Sequence, residues 1–564
     1  MKLSLLCSLT VTAFTLLSSV DASSNPGTSI NGNPFPSLLD VTTEDLITGL
    51  ESGLFTSVDL AYVARIYEVN STLHAVTQLN PDALSIAATL DAERANGTIR
   101  GPLHGIPILI KNNIATADAM DNTAGSYALA GARVPRDSTI AAKLRKAGAV
   151  ILGKTNLSQW ANFRSSNSSN GWSAIGGQVV AAYFPDQDPS GSSSGSGVAS
   201  SLGLALAALG SETDGSIISP SDANNLVGIK PTVGLTPRDL VIPISQHQDT
   251  VGPMARTVLD AAYLLTAIAG YSPDDNYTSA IPYPNHVTPD YTASLNFSAL
   301  RGARIGIPRN VFDSPAIRSS PYAAILETFD TYALPLLREA GAVIVDNTNW
   351  PGYDIEPANA STIVLEADFI TNLASYLSQL TVNPQNVHSV ADVRNFTQHF
   401  PLEDYPDRDT AVWDDALDYY GGQGNTSPEF WSNYTLLQYL AGPLGLTGSL
   451  TNYCLDALIM PTFFASHFPA ILGSPVVSVP MGSYPAGTNV TQNNRGDLNE
   501  TGPGIPFGLA FMAERFSEQK LIGLAYAFEQ RTNVRSKVLP LAQNTPQTEL
   551  ADIVGHKKER RAKL

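Results

Sequence analysis

Cysteine and basic residues are scarce in this chain, and each shortage excludes a class of protein. Only Cys7 and Cys454 occur among the 564 residues, which excludes a disulfide-rich scaffold and a metal site built from clustered cysteine and histidine. The 33 lysines and arginines face 51 acidic residues, which gives a formal charge of −18. Because nucleic-acid binding needs clustered cations that replace the counterions of phosphates, we expect no nucleic-acid partner.

Long apolar runs and linker segments are also missing from the interior of the sequence. No apolar run there reaches the roughly 20 residues of a membrane-spanning helix, so we expect no membrane span. No Ser-, Gly- or Pro-rich linker and no fixed-period repeat divides the chain. Its 43% hydrophobic and 15% charged residues are typical of a compact globular protein. We predict one large domain, 23–540, followed by a polar and basic tail, 541–564.

The two ends of the chain carry targeting signals. Residues 1–22 have the order of a secretory signal peptide, with a charged start, an apolar run and a small-residue segment. Twelve N-x-Ser/Thr sequons favour a secreted glycoprotein. The last three residues, Ala562-Lys563-Leu564, are close to a peroxisomal signal. Because sorting into the secretory pathway is decided during synthesis, we expect secretion, with a peroxisomal location as the alternative.

The spacing of apolar residues predicts an α/β fold. Residues 37–95 have helical periodicity and predict a helical N-terminal layer, with a helix start at Thr43. Strand-like runs at 106–110 and 149–152 flank a helix-like segment at 137–147. Such alternation predicts a sheet that is covered by helices.

The second half of the chain is less regular. Between about 270 and 460 it is rich in aromatic residues, Asn, Asp and Pro, which predicts helical and loop insertions that could overhang a site. The segments SPVVSVPMG and PFGLAFMA predict buried strands, and YCLDALIMP predicts a buried strand that contains Cys454. Arg256 and Asp260 are expected to form an ion pair within the framework.

The most informative stretch runs from 188 to 240. A Ser/Gly-rich run, 190–197, opens into a small-residue helix predicted over 198–209, and a tight loop, 211–216, follows. Backbone N–H groups at such a helix start and in such a loop can bind an anion. The sequence therefore brings hydroxyl side chains close to groups that could stabilise a negatively charged oxygen.

A serine nucleophile needs a base, and the sequence offers a lysine for this role. None of the eight histidines stands in a recognisable Ser-His-Asp pattern. Lys111 ends the apolar run 106–110 and precedes two asparagines. A lysine that is partly removed from water at a strand end has its neutral form favoured, as a general base requires.

Eight segments, taken in order, resemble the amidase signature family, and most closely its peptide amidases and their plant and fungal relatives. The resemblance runs from about Leu46 to Arg535, is strongest over 101–262, and is weak over 270–460. The segments are GIPILIKNNI, GKTNLSQWAN, GWSAIGGQ, GSSSGSG, ETDGSIISPS, VGIKPTVGL, QDTVGPMART and PFGLAFMAERFSEQKL. Several long matches in a fixed order are far more specific than one short pattern.

The resemblance implies a fold and a reaction. The fold is a single large α/β domain with a large mixed, twisted sheet covered by helices on both faces. The reaction is hydrolysis of the C–N bond of a linear amide, on a small molecule or a peptide, without metal or cofactor, by a monomer or homodimer. Peptide C-terminal amides are among the possible substrates of this reaction.

The resemblance also implies a role for particular residues. Lys111 is the base, Ser192 in a cis peptide is the relay, and Ser216 is the acylated nucleophile. The family's oxyanion hole falls on the backbone N–H groups of Thr213, Asp214, Gly215 and Ser216. The sequence departs from the family at Ser190, where glycine is usual, and at Ile175, where a charged residue is frequent.

Two other functions are open on the residues alone. The run Gly191-Ser192-Ser193-Ser194-Gly195 satisfies the G-x-S-x-G pattern of α/β-hydrolase esterases, which would make Ser193 the nucleophile. That pattern needs a strand directly before it, and the preceding DQDPS does not predict one. The other alternative is a non-catalytic secreted glycoprotein that keeps the fold. Asn156 lies in a sequon within a matching segment, and we expect it to carry no sugar.

Overall fold

The computed structural model describes residues 35–554. The predicted signal peptide and the C-terminal Ala562-Lys563-Leu564 lie outside the described residues. Within the described range, no helix combines the length and the apolar character needed to cross a membrane.

One large mixed sheet organises the chain. Its spatial order is β1-β3-β2-β4-β6-β5-β10-β11-β9-β7-β8. Strands β3, β2 and β4 run parallel to one another, as do β9, β7 and β8, and the strands between β4 and β9 pair antiparallel. The strands are β1 Val76–Leu79, β2 Pro107–Lys111, β3 Val150–Thr155, β4 Ala207–Glu212, β5 Val227–Lys230, β6 Thr250–Ala255, β7 Arg304–Ile307, β8 Val343–Asp346, β9 Ala457–Pro461, β10 Val476–Ser483 and β11 Pro506–Met512.

Helices surround this sheet, and two short ribbons, Trp172–Ser173 with Gly177–Gln178 and Thr491–Gln492 with Asn499–Thr501, lie outside it. The helices are α1 Thr43–Glu51, α2 Ser57–Leu60, α3 Val63–Leu73, α4 Ala83–Ala95, α5 Thr139–Lys146, α6 Ser194–Ser201, α7 Ile218–Ala223, α8 Val258–Ile268, α9 Arg309–Phe312, α10 Pro315–Arg318, α11 Ala323–Thr328, α12 Leu334–Glu339, α13 Pro351–Asp354, α14 Ala360–Leu377, α15 Val390–His399, α16 Ala411–Asp414, α17 Pro428–Ala441, α18 Leu446–Asn452, α19 His467–Leu472 and α20 Glu518–Thr532.

The predicted N-terminal layer is helical, as α1 to α4 show, but it also contributes the edge strand β1. Its first helix is capped by Thr42 and not by Thr43. The Thr42 side chain accepts from the Asp45 N–H, and the Asp45 carboxylate accepts from the Thr42 N–H, which is a reciprocal capping box. The predicted helix start at Thr43 is confirmed, with Thr42 as the residue that caps it.

Both faces of the sheet are buried, and the alternation of side chains along each strand decides which face a given side chain lies on. Along β2, Ile108 and Ile110 pack into one hydrophobic cluster, whereas Leu109 packs into another. Successive side chains of a strand point to opposite faces. Lys111, two positions after Leu109, therefore points to the face that α6 covers.

The segment 270–460 is more regular than the sequence predicts. It supplies the helices α9 to α18 and also the strands β7 and β8, which extend the sheet at one edge. Part of it forms a third hydrophobic cluster, in which Trp413 packs edge-to-face on Trp160 with ring centroids 5.8 Å apart. The insertions thus pack against the segment around Trp160.

Three local predictions are corrected by the structure. Cys454 is exposed and lies before β9, so the strand prediction was right for Ala457–Pro461 but wrong for the cysteine. Residues 541–554, expected to begin a polar tail, pack on the body, where Leu550 is fully buried. Arg256 and Asp260 form no direct ion pair in the described part of the chain, because each is bonded to backbone or hydroxyl groups instead.

Arg256 connects three elements through carbonyl groups. Its guanidinium donates to the carbonyl oxygens of Val41 at 2.7 Å, Ser200 at 3.0 Å and Ala205 at 3.2 Å. The side chain is 1% exposed. It therefore joins the N-terminal layer to α6 and to the loop before β4.

We predict that Arg256→Met lowers the free energy of unfolding by about 2 to 4 kcal/mol, since three carbonyl oxygens each lose the hydrogen bond from this guanidinium. Equilibrium urea unfolding followed by circular dichroism measures this. Arg301→Met is the matched control, because Arg301 is exposed and its side chain has no bonded partner among residues 35–554. Equal unfolding free energies for the two variants would contradict the connecting role of Arg256.

Candidate active site

The parallel strand β2 places Lys111 at a fully buried site. Its burial is complete, and its Nζ lies 2.8 Å from the Ser192 Oγ and 3.0 Å from the Ser211 carbonyl oxygen, to both of which it donates. Asn113, close behind it, donates to the Ser211 Oγ at 2.8 Å. The lysine predicted to act as base therefore contacts the serine predicted to act as relay.

Burial changes the proton affinity of this lysine. Loss of hydration lowers the pKa of Lys111 to about 7, against the opposing effect of the Asp249 and Glu212 carboxyls. An ordinary lysine has a pKa of about 10.4. Near neutral pH, a large fraction of Lys111 can therefore hold a lone pair that accepts a proton from the adjoining hydroxyl.

The loop before α6 holds Ser192 in one position. The Gly191–Ser192 peptide is cis, as the family resemblance implies, and the Ser192 carbonyl oxygen accepts the Ser158 N–H at 3.1 Å. The start of α6 packs on neighbouring backbone, because a Cβ on Gly195 would come within 2.3 Å of the Ala75 carbonyl oxygen. Ser192 is fully buried, so its hydroxyl can reach only groups of the protein or of a bound substrate.

The predicted helix over 198–209 is wrong in its bounds. The structure has α6 at Ser194–Ser201 and then the strand β4 at Ala207–Glu212. The run LALAALG has no polar position that marks a helical period, and a strand buried on both faces shows the same uniform pattern. The predicted tight loop is consequently shorter, since Ser211 and Glu212 belong to β4.

Ser216 lies on the loop between β4 and α7, beside the Ser/Gly-rich loop. Its carbonyl oxygen accepts the Ser193 N–H at 3.2 Å. The side chain is 7% exposed, whereas Ser192 and Ser193 are fully buried. Its Oγ has no hydrogen-bond partner among residues 35–554, so the hydroxyl is free to react with a bound molecule. Gly215 before it has φ +83°, a conformation that favours glycine.

A buried carboxylate holds this loop in shape. The Glu212 Oε2 accepts the N–H groups of Ile217 at 2.6 Å and Ile218 at 2.9 Å, which closes the turn after Ser216. Burial raises the pKa of Glu212, against the effect of Lys230 and the two N–H donors. The acidic residue of the ETDGS segment therefore shapes the loop from behind.

Four successive backbone N–H groups of this loop lack acceptors. Within the part of the chain that the structure describes, the N–H groups of Thr213, Asp214, Gly215 and Ser216 donate to no other protein group. The Thr213 Oγ1 is fixed by the Asp249 carboxylate at 2.6 Å. Free N–H groups on the same loop as a reactive hydroxyl can stabilise a developing oxyanion.

A charge-bridging histidine supports the same loop and was not found from the sequence. The two ring nitrogens of His467 lie 3.0 Å from the Asp214 carboxylate and 2.9 Å from the Glu356 carboxylate. Burial lowers the pKa of His467, but the two carboxylates dominate and raise it to about 10. Asp214 and His467 are far apart in sequence, and no local pattern marks their contact.

The alternative nucleophile does not have the geometry of an esterase elbow. Ser193 is fully buried, and its Oγ donates to the Ser211 carbonyl oxygen at 3.1 Å. The residues before it form a loop and no strand. Asn156 is also fully buried, with its side-chain amide bonded to the His74 and Gly177 carbonyl oxygens, which agrees with the expectation that it carries no sugar.

No group of three or more His, Cys, Asp or Glu within residues 35–554 is arranged to hold a metal ion. A cavity opens beside the loop of Thr213. It is lined by Asn113, Arg238, Ile244 and, from the insertions, Tyr376. The insertions thus contribute walls to the space in front of the site.

Comparisons with known proteins identify the family of this chain. The family described as Amidase matches residues 58–522. The chain belongs to the amidase family. A relative named "Putative amidase" from Arthroderma benhamiae is 52% identical over 543 residues, which cover 92% of this chain and 90% of the relative.

Solved structures of other amidases share the fold. The peptide amidase from Stenotrophomonas maltophilia is 40% identical with a TM-score of 0.77, over 88% of this chain and 98% of that chain. An amidase family protein from Bacillus anthracis is 31% identical with a TM-score of 0.77, over 89% of this chain and 93% of that chain. The predicted fold class is confirmed, and so is the enzyme class, an amidase that acts on C–N bonds in linear amides.

We predict that His467 titrates near pH 10, well above the ordinary histidine value of about 6.5. NMR of the protein labelled with ¹³C at histidine Cε1, with the signal assigned by His467→Asn, measures this. Glu356→Gln is expected to lower the midpoint, because it removes one of the two anions that stabilise the imidazolium. A midpoint near the ordinary value in the unsubstituted protein would contradict the bridge.

Proposed function

We propose that this amidase hydrolyses a carboxamide of a small molecule or peptide through an acyl-enzyme on Ser216, with Ser192 and Lys111 as the proton relay. The observation that carries the proposal is the buried contact between the Lys111 Nζ and the Ser192 Oγ, beside a partly accessible Ser216 hydroxyl without a partner among the described residues. Ser211, which is similarly exposed and also lies against this lysine, differs from Ser216 because its Oγ accepts a hydrogen bond from Asn113.

The first half of the reaction forms an ester. The neutral amine of Lys111 accepts the proton of Ser192, and the Ser192 Oγ accepts that of Ser216 as the Ser216 Oγ attacks the amide carbonyl. The carbonyl oxygen becomes negative and is stabilised by the N–H groups of residues 213–216. The tetrahedral intermediate then breaks its C–N bond, and the relayed proton returns to the leaving nitrogen.

The second half repeats the chemistry with water. Water loses a proton to the same relay and attacks the acyl carbon, and Ser216 leaves with the returned proton, which releases a carboxylic acid. The protein thus gains and loses no atom over the cycle. The relative named peptide amidase, 40% identical, supports an amide on a peptide as one substrate class.

We predict that a fluorophosphonate forms one adduct, on Ser216, because this hydroxyl is partly exposed and has no partner among the described residues, whereas the similarly exposed Ser211 has its Oγ bonded by Asn113. Ser216→Ala should abolish the adduct, and Lys111→Met should slow its formation by at least about 100-fold, the usual contribution of a general base. Intact-protein and peptide mass spectrometry measure both. Lys520→Met is the control, since this lysine pairs with Asp456 away from the site.

Two outcomes of this labelling would contradict the proposal. An adduct on Ser193 would support the esterase alternative. A folded protein without any adduct would support the non-catalytic secreted glycoprotein. Neither result would change the description of the fold, but both would exclude Ser216 as the nucleophile.

The pH dependence follows from the lowered pKa of Lys111. Only the neutral amine accepts a proton, so kcat/KM for an uncharged amide should rise about tenfold per pH unit below the pKa and level off above it. The midpoint should lie near pH 7. Lys111→Arg should be inactive across the whole range, because guanidinium stays protonated. A flat profile from pH 5 to pH 9, about two units on either side, would contradict Lys111 as base.

A further inference from the structure

A second cavity, of about 160 Å³, adjoins the loops that carry the two serines. Ser190, two positions before Ser192, lies on its wall, and so does Ser219. Ser219 belongs to the first turn of α7, and its N–H donates to the Gly215 carbonyl oxygen at 2.8 Å. A molecule that reacts with Ser216 therefore has this cavity within reach of its neighbouring groups.

Three carboxyl groups line this cavity, which we call the acidic cavity: Asp188, Asp222 and Glu500. Asp188 is 6% exposed and accepts the Ser190 N–H at 2.7 Å. Asp222 accepts the Gly508 N–H with one oxygen, and its other oxygen has no partner within the described part of the chain. Glu500 is exposed and lines the cavity together with Tyr322.

In the described part of the chain, no cation pairs with these carboxyls. Within residues 35–554, none of the three forms an ion pair, whereas the fully buried Glu403 pairs with Arg164. Burial raises the pKa of Asp188 to about 7 and that of Asp222 to about 8, and no neighbouring cation opposes this. Carboxyls gathered without a counter-ion are costly, and a positively charged ligand would remove that cost.

A buried tyrosine points independently to a ligand. Tyr484 lines the acidic cavity, is 5% exposed, and packs its ring edge-to-face on Phe507 with centroids 5.3 Å apart. Its hydroxyl has no hydrogen-bond partner among the described residues. The hydroxyl of a largely buried tyrosine normally finds a partner, so this one, at the cavity wall, is available to a molecule in the cavity.

The residues that line the cavity favour an organic cation over a metal ion. The three carboxyls do not form a group that could hold a metal ion, since no such group of three occurs within residues 35–554. Aromatic rings complete the wall, with Tyr322 and Phe463 at a centroid distance of 4.4 Å. Carboxyls together with aromatic faces are the surroundings that bind ammonium and guanidinium groups.

We propose that the acidic cavity binds an ammonium or guanidinium group of the amide substrate, so that the enzyme prefers amides with a positive charge near the bond it breaks. This inference rests on the proposed function, because it names the substrate class of the Ser216 site. It also assigns Asp222 and Tyr484 as specificity residues. Asp222 belongs to α7, the helix that follows the loop of Ser216.

Paired substrates of similar size test the preference. The primary amides of N-acetylarginine and N-acetylcitrulline differ in charge but little in shape. We expect kcat/KM of the wild-type enzyme to favour the arginine amide by at least about tenfold, and Asp222→Asn to reduce that ratio about tenfold. Asparagine keeps an oxygen for the Gly508 N–H, so the fold is retained. Glu51→Gln, an equal change of charge at an exposed position of α1, should leave the ratio unchanged.

A binding measurement separates this inference from the proposed function. Titration calorimetry with butylguanidinium and butylurea needs no hydrolysis, and we expect the guanidinium to bind the wild type more tightly and to lose this advantage in Asp222→Asn. Tyr484→Phe, which removes the free hydroxyl and keeps the ring, should weaken the binding of butylguanidinium less than Asp222→Asn does. Equal binding of the two compounds, or an unchanged difference in Asp222→Asn, would overturn the acidic cavity as a cation site. Cation binding without hydrolysis of any amide would instead overturn the proposed function.

Discussion

The amine of Lys111 is held out of water against the hydroxyl of Ser192, and the surrounding elements are arranged to permit this contact. A charged ammonium without water or a direct carboxylate partner is unfavourable, so the protein shifts the equilibrium toward the neutral amine. The nearest carboxyls, Asp249 and Glu212, act from a distance and do not contact the amine within the described chain. The lysine is thereby buried but still able to take up a proton.

The sheet and its loops account for this position. The alternation of side chains along β2 directs Lys111 toward α6. The close approach of Gly195 to neighbouring backbone brings the loop of Ser192 onto the same face. Carboxylates then fix the opposite loop from outside the reaction space: Glu212 binds the turn after Ser216, and Asp249 binds Thr213. The free N–H groups are therefore oriented before a substrate arrives, which is the condition under which such dipoles stabilise a transition state.

Sequence patterns predicted the parts of this protein that local chemistry marks. The strand that ends at Lys111, the Ser/Gly-rich loop and the ETDGS loop stand in uninterrupted segments, and their order identified the family and the fold. The helix predicted over 198–209 failed because a run of small apolar residues carries no period that separates a buried helix from a central strand. Contacts between distant segments were also out of reach. His467 with Glu356, and the carboxyls of the acidic cavity, come together only through the fold.

The protonation state of Lys111 is the property on which the account depends, and it can be measured directly. Enzyme labelled with ¹³C at lysine Cε, compared with the Lys111→Met variant to assign the signal, gives the titration curve of this one amine by NMR. We predict a midpoint near pH 7. A signal that stays charged up to the ordinary lysine range of about pH 10 would contradict it, since Lys111 could then not act as the base at neutral pH.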